Sequence, residues 1–410
     1  MGKLTKLEKY WILYDVGNSA FVLLIATIIP IYFNHLASLA NISEVNYLAY
    51  WGYAASFTTA VVAIIGPILG TIVDTDGYKK PIFTLSMILG VLGLAALSVP
   101  KSWIIFLAIF VIAKIGYSTS LIFYDSMLLD VTTEERMDTV SSHGYAWGYI
   151  GSCIPFIISL LFVLFYDTIG LSFQVAMTIA FLINALWWLF MTVPLLKNYQ
   201  QIHCVEKPKH PIKESFSRLG NTLKDITKDK KVFIFLISFF FYIDGVYTII
   251  DMATAYGSAL GLNTQGLLLA LLVTQIVAFP FALLFSKLSK MYASESLIKV
   301  CIFAYTCIAL FAIQLDKQWE FWLLAVCVGM FQGAIQALSR SYFAKIIPAN
   351  KSGEYFGLFD ICGKGASFVG TTLVGVISQL TGKMNLGVAV ISVMFVIGFI
   401  FFIKATKVEN

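Results

Sequence analysis

The residues of this 410-residue chain best suited to chemistry are charged and amide side chains embedded in long apolar runs. Asp15 and Asn18 stand three apart and so share one helix face. Asp244, Tyr247 and Asp251 fall at i, i+3 and i+7 along one stripe, and Gln332, Gln336 and Arg340 at i, i+4 and i+8 along another. At about 1.5 Å per helical residue, Lys114 lies about 16 Å beyond Trp103 and Asp244 about 18 Å beyond Val232. In a hydrocarbon layer of about 30 Å both are near the middle. A charge at that depth is costly and faces a cavity or a partner. Such groups suit the binding of a polar solute. Lys114 would take a carboxylate and Asp244 an ammonium group, as the two ends of a zwitterion; they equally suit an ion pair that breaks during a conformational change, or separate satisfaction by other buried polar groups. Asp15, Asp244 and Asp251 can also carry a proton if desolvation raises their pKa.

Covalent chemistry has little to work with. His35, His143, His203 and His210 are scattered, the six cysteines form no C-x-x-C pair, and no P-loop is present. No catalytic residue, metal or cofactor is expected.

The elements that position these groups follow from composition. The chain is 59% hydrophobic and 12% charged, against about half and a quarter in soluble domains. This excludes a soluble enzyme, a disordered chain and a nucleic-acid binder. Apolar runs lie near 11–34, 47–73, 81–99, 103–128, 143–166 and 171–194, then 232–255, 264–286, 296–315, 320–343, 354–380 and 385–403. The expected fold is therefore an all-α membrane protein of twelve transmembrane helices in a 6+6 arrangement: a bundle over 1–194, a Lys-rich linker over 195–231 and a second bundle over 232–410. No cleavable signal peptide is read at the start. Placing both termini in the cytoplasm puts 22 of the 28 Lys and Arg residues on that side, a strong positive-inside pattern. The net charge of +5 is thus a topology signal and a contact with anionic lipid. In the linker, Ile212, Phe216, Leu219, Leu223 and Ile226 recur at helical spacing among Lys213, Arg218, Lys224 and Lys228, predicting an amphipathic helix on the inner leaflet. Asp360 and Lys364, four apart, are positioned to neutralise each other. Small residues at Gly144, Gly148 and Gly151, and at Gly363, Ser367 and Gly370, allow close helix contacts.

Between the second and third runs stands Gly70-Thr-Ile-Val-Asp74-Thr-Asp-Gly77-Tyr-Lys79-Lys80. Gly70 permits close packing, Gly77 a tight turn, and Asp74 can pair with cations or cap the positive end of a neighbouring helix. The segment resembles the loop signature of the major facilitator superfamily, with Thr75 where a basic residue is usual and an additional Asp76. Trp11-Ile-Leu-Tyr14-Asp15-Val-Gly17-Asn18, Phe123-Tyr124-Asp125 through Asp130, Gly144-Tyr-Ala-Trp-Gly148-Tyr149, Tyr242-Ile-Asp244-Gly245 and Gln332-Gly333-Ala-Ile-Gln336 through Arg340 resemble successive motifs of the autophagy-related vacuolar amino-acid effluxer family and its bacterial relatives.

The resemblance implies that the first, fourth, seventh and tenth helices line a central cavity, and that Gly70, Asp74, Gly77, Lys79 and Lys80 form a cytoplasmic latch between halves. It also implies a secondary transporter working by alternating access. The expected function is proton-coupled export of amino acids or similar small zwitterions by a monomer. Its partners are a small-molecule substrate, membrane lipids and protons as coupling ion. Alternatives are a proton-coupled antiporter of larger amphiphiles, a lipid scramblase or flippase, or a non-transporting sensor. Short loops point to a bacterial cytoplasmic membrane, with a vacuolar membrane as the alternative.

Overall fold

A computed structural model describes residues 3–207, 211–259 and 261–408. His210 and the side chains of Ile212, Lys213, Phe216, Lys364 and Ser367 lie outside the described residues. Apart from one parallel bridge between Thr75 and Val205, the regular structure of the described residues is helical. Among the described residues, 11 helices are long and apolar enough to cross a membrane.

The first crossing is a broken pair, α1 (Lys6–Ala26) and α2 (Ile28–Leu39). Thr5 and Glu8 form a capping box that starts α1. Pro30 lacks an N–H and crowds the carbonyl four residues earlier, at Ala26, which is where the helix breaks. There follow α3 (Glu44–Val73), α4 (Lys79–Ala96), α5 (Trp103–Ser126), a short α6 (Leu128–Val131), α7 (Met137–Leu164) and α8 (Phe173–Asn198). The linker carries α9 (Pro211–Lys228), and the later crossings are α10 (Lys230–Ala259), α11 (Thr264–Leu288), α12 (Ser294–Ala312) and α13 (Gln318–Ile346). The eleventh crossing departs from the expected single helix over 354–380. It is assembled from α14 (Ser352–Asp360), a π-helical turn (Ile361–Gly365) and α15 (Ala366–Thr381). A π turn widens the backbone hydrogen-bond ladder and is enriched at functional positions. The last crossing is α16 (Met384–Lys407).

In the first set, α1 packs on α7 and α8, and α4 on α5 and α8; in the second, α10 packs on α15 and α16, and α13 on α11 and α12. The sets meet where α7 lies against α11 and α13, and where α3 lies against α14. Gly70 of α3 faces Gly353 so closely that a Cβ on either would collide with the other's carbonyl oxygen. Side chains such as Ile64, Leu92, Phe190 and Phe303 remain more than half exposed. Such outward apolar side chains suit contact with acyl chains.

The linker helix forms where its periodicity places it, but it is not simply laid on a membrane. Thr222 and Ile226 are buried, and α9 packs on α3 and α14. The physical reason is Glu354, a fully buried carboxylate at the start of α14 that needs donors. Arg218 and Thr222 supply them.

Candidate functional site

One set of charges inside the helices surrounds Arg340, near the end of α13 and only 2% exposed. Its Nη1 donates to Asp125 Oδ1 at 2.9 Å, and its Nη2 to Asp15 Oδ2 at 3.3 Å and to the Ser141 carbonyl at 3.1 Å. Its Nε donates to Ser141 Oγ at 2.9 Å. The guanidinium carbon lies 4.6 Å from the centre of the Trp11 ring, 4.5 Å from Tyr145 and 5.5 Å from Tyr124. The rings and carboxylates come from α1, α5 and α7, the cation from α13. The cluster therefore ties the first six crossings to the last six. Local packing holds the acceptors in place. Trp11 stacks on Tyr124 and donates its Nε1 proton to the Tyr124 carbonyl at 3.0 Å. Asn18 donates to Tyr14 O at 2.9 Å and lies 3.4 Å from Asp15 Oδ1, so the two residues share a face as expected. Gly144 leaves room beside Asp15 and Trp11.

A second set lies at the end of the molecule that carries the linker. Asp74 accepts from the backbone N–H of Gly353 at 2.7 Å and of Glu354 at 2.9 Å, and so caps α14 from across the boundary. Burial pushes the Asp74 carboxyl up to about 7, against the opposing pull of Lys79 and the two backbone donors. Lys79 is fully buried, 3.9 Å from Asp74 and 3.4 Å from Asp130, and donates to Ser352 Oγ at 3.0 Å. Gly77 takes a φ of +77°, which a side chain would strain. Lys80 is half-buried on α4. Asp130 also takes Tyr199 Oη at 2.5 Å and the N–H groups of Ile202 and His203, with His203 Nδ1 at 3.0 Å. Beside it Val205 N donates to Asp74 O at 2.7 Å, fastening the first part of the linker to the α3–α4 loop.

A third set joins α7 to the other half: Asp138 accepts from Ser294 at 2.7 Å, Ser341 at 2.5 Å and Lys345 at 2.6 Å. Deeper in, Gln336 donates to Tyr149 Oη at 3.2 Å, and Gln332 lines a cavity of about 50 Å³ with Ile249, Thr274 and Gln275.

The remaining residues singled out from the sequence lie elsewhere. Asp244 is fully buried and accepts from Thr248 Oγ1 at 3.1 Å and Gly370 N at 3.0 Å, turning toward α15 rather than toward Lys114. Its second oxygen is buried without a hydrogen-bond partner. Lys114 is half-buried on α5 with its Nζ 5.8 Å from the Phe110 ring. Tyr247 is half-buried opposite Gly363, and Asp251 is exposed towards the far end of α10. Asp138 and Glu354 are buried carboxylates that the sequence does not single out, and Asp125 and Asp130 stand in a motif without a partner being legible. The signal for them is present in kind, since each is an acidic residue in or at the edge of an apolar run, but spacing along one helix does not reveal a partner on another.

Asp15, Asp125 and Arg340 of the first set of charges fall within the sequence motifs. Residues 129–410 match the family described as vacuole effluxer Atg22 like. The chain belongs to that family. It is 41% identical over 405 residues to the uncharacterized MFS-type transporter YxiO of Bacillus subtilis (strain 168), covering 98% of this chain and 95% of that protein. Autophagy-related protein 22 of Cryptococcus neoformans var. neoformans serotype D (strain B-3501A) is 26% identical over 280 residues, 63% of this chain and 50% of that protein. The match thus spans about half of the fungal relative. Among solved structures, the major facilitator transporter FucP in its outward conformation superposes with a TM-score of 0.74 at 15% identity, covering 98% of each chain. A bacterial homologue of the iron transporter ferroportin, outward-facing with soaked iron, gives 0.72 at 12% identity over 100% of each chain. These likenesses establish the twelve-helix major facilitator fold, and the relatives establish a multi-pass membrane transporter.

Proposed function

We propose that the protein is a secondary transporter that exports amino acids or similar small zwitterions with proton coupling, its two six-helix sets rocking about a site between them. The observation that carries this reading is the Arg340 cluster: two carboxylates of one set close on a guanidinium of the other. Motion that separates the sets must break it, and a solute with polar ends can replace its contacts. Two carboxylates against one guanidinium leave one formal negative charge over among the hydrogen-bonded ion partners, which gives a proton a place to bind. Asp244 offers a second place, its outer oxygen buried and unbonded. In this reading Asp15, Asn18, Gln332, Gln336 and Arg340 act on the substrate path, with Lys114, Asp244, Tyr247 and Asp251 farther along it. Gly70, Asp74, Gly77, Lys79 and Lys80 latch the linker face, which is the cytoplasmic face of a bacterial membrane. In this reading the working unit is a monomer.

The test is transport by the purified protein in liposomes, screened over radiolabelled amino acids with and without an imposed pH gradient. Accumulation driven by the gradient, lost in Asp15→Asn and Arg340→Ala, is expected. Transport indifferent to the gradient, with no accompanying proton flux, counts against coupling; unchanged transport in both variants counts against the site.

A further inference from the structure

The surroundings of Arg340 have a property that an ordinary ion-pair latch does not need. Among the described residues, every acceptor of its guanidinium (Asp15, Asp125, and the hydroxyl and carbonyl of Ser141) and the three rings around it (Trp11, Tyr124, Tyr145) belong to the first six crossings. The cation alone comes from the other half. The walls are also held by contacts in which Arg340 takes no part. Trp11 and Tyr124 are stacked with ring centres 4.3 Å apart, Tyr14 Oη bonds Ser120 Oγ at 2.6 Å behind them, and Asn18 lies against Asp15. Withdrawing α13 would therefore leave an aromatic, doubly acidic cradle already shaped for a planar cation.

We infer that this cradle is a binding subsite for an alkyl-guanidinium solute, and that Arg340 occupies it as an internal surrogate when the linker face is closed. The chemistry favours guanidinium over a simple ammonium group. Two rings lie at nearly equal distances, 4.6 and 4.5 Å, from the guanidinium carbon, and four hydrogen bonds leave three different nitrogens. A flat, delocalised, weakly hydrated cation with donors along its edge fills such a site; a compact ammonium ion does not. A solute that reaches the cradle would compete with Arg340 for the same acceptors, and its binding would free α13 to move. Opening of that face is thereby tied to occupancy by the solute. This inference rests on the transport reading for its purpose, though not for the existence of the cradle.

Arginine and citrulline make the decisive pair of probes, since citrulline replaces the guanidinium with a neutral ureido group of the same shape. Equilibrium binding of each, radiolabelled, is measured on the purified full chain. Arg340→Ala, which removes the internal competitor, is expected to bind arginine at least tenfold more tightly than the wild type while citrulline binding stays weak. Adding Asp125→Asn should reverse that gain by at least tenfold. Equal binding of the two probes, or indifference to Asp125→Asn, overturns the proposal. Should Arg340→Ala fail to fold, the intact latch provides a second readout. In a chain freed of its native cysteines, millimolar arginine, and not citrulline, is expected to speed labelling of Ala337→Cys, a position buried beside Ser141; no difference between the probes overturns the proposal there too. Transport of neutral amino acids without arginine binding rejects the cradle alone. Arginine binding with these dependences, but no transport of any solute, supports the cradle and rejects the transport reading.

Discussion

At the scale of single residues, burial decides which charges matter. Arg340 is surrounded by two carboxylates and three rings, and removing it strands Asp15 and Asp125 in a low-dielectric site. Arg340→Met is expected to destabilise the protein by about 3–5 kcal/mol, read as a lowered melting temperature in detergent. Arg340→Lys should recover only part of this loss, because an ammonium group cannot reproduce the planar fork. Asp74 makes a prediction in pH. Burial raises its folded-state pKa to about 7 from an ordinary 3.8, so between those values the folded protein holds a proton that the unfolded chain has released. Its contribution to stability is full below about pH 4, falls as pH rises and levels off above about pH 7. Wild-type stability relative to Asp74→Asn, followed by thermal unfolding from about pH 4 to about pH 8, should decline across that window; a flat difference refutes the assignment. Arg340 and Asp15 are legible as candidates because charges inside apolar runs are rare. Asp125 is visible inside a motif but not as a partner, since nothing in the local pattern shows that it meets a cation 215 residues later in the chain.

At the scale of elements, the eleventh crossing and the linker carry the departures from expectation. The run over 354–380 reads as a continuous apolar helix, but close contact of Gly370 with Asp244 and Thr248 fixes α15 against α10, and a π turn joins it to α14. The period of the linker correctly gives a helix, because amphipathicity is a local property. Its docking surface is not local. An amphipathic face suits lipid and protein alike, and Glu354, 132 residues beyond Thr222, settles the choice. Glu354→Ala should release α9 and raise the rate of tryptic cleavage at Arg218, Lys224 or Lys228 several-fold, measured by limited proteolysis of the purified protein. Cleavage at the wild-type rate would show that the helix is held by something other than this carboxylate.

At the scale of the whole molecule, three groups of contacts close the same end: Asp74 on α14, Asp138 on Ser294, Ser341 and Lys345, and the Arg340 cluster between them. Their common position makes closure of that face a collective property. Gly70→Val, which forces α3 from α14, combined with Asp138→Ala should lengthen the distance between spin labels at the exposed Asp76 and Lys290, one on each side of the boundary. Distance distributions indistinguishable from the parent protein would argue that these contacts do not hold the face shut. By itself the amino-acid sequence determined that the chain crosses a membrane many times, roughly where each crossing lies and that a few charges fall within the apolar runs. Those facts follow from hydropathy and helical period, which act over neighbouring residues. Only the tertiary structure decided that Arg340 meets Asp15 and Asp125, that Asp74 caps α14 while also facing Lys79, and that the linker is clamped to Asp130 and Glu354. Each of these joins groups far apart in the chain, and a buried charge can be satisfied by any partner that the packing of distant helices brings within reach.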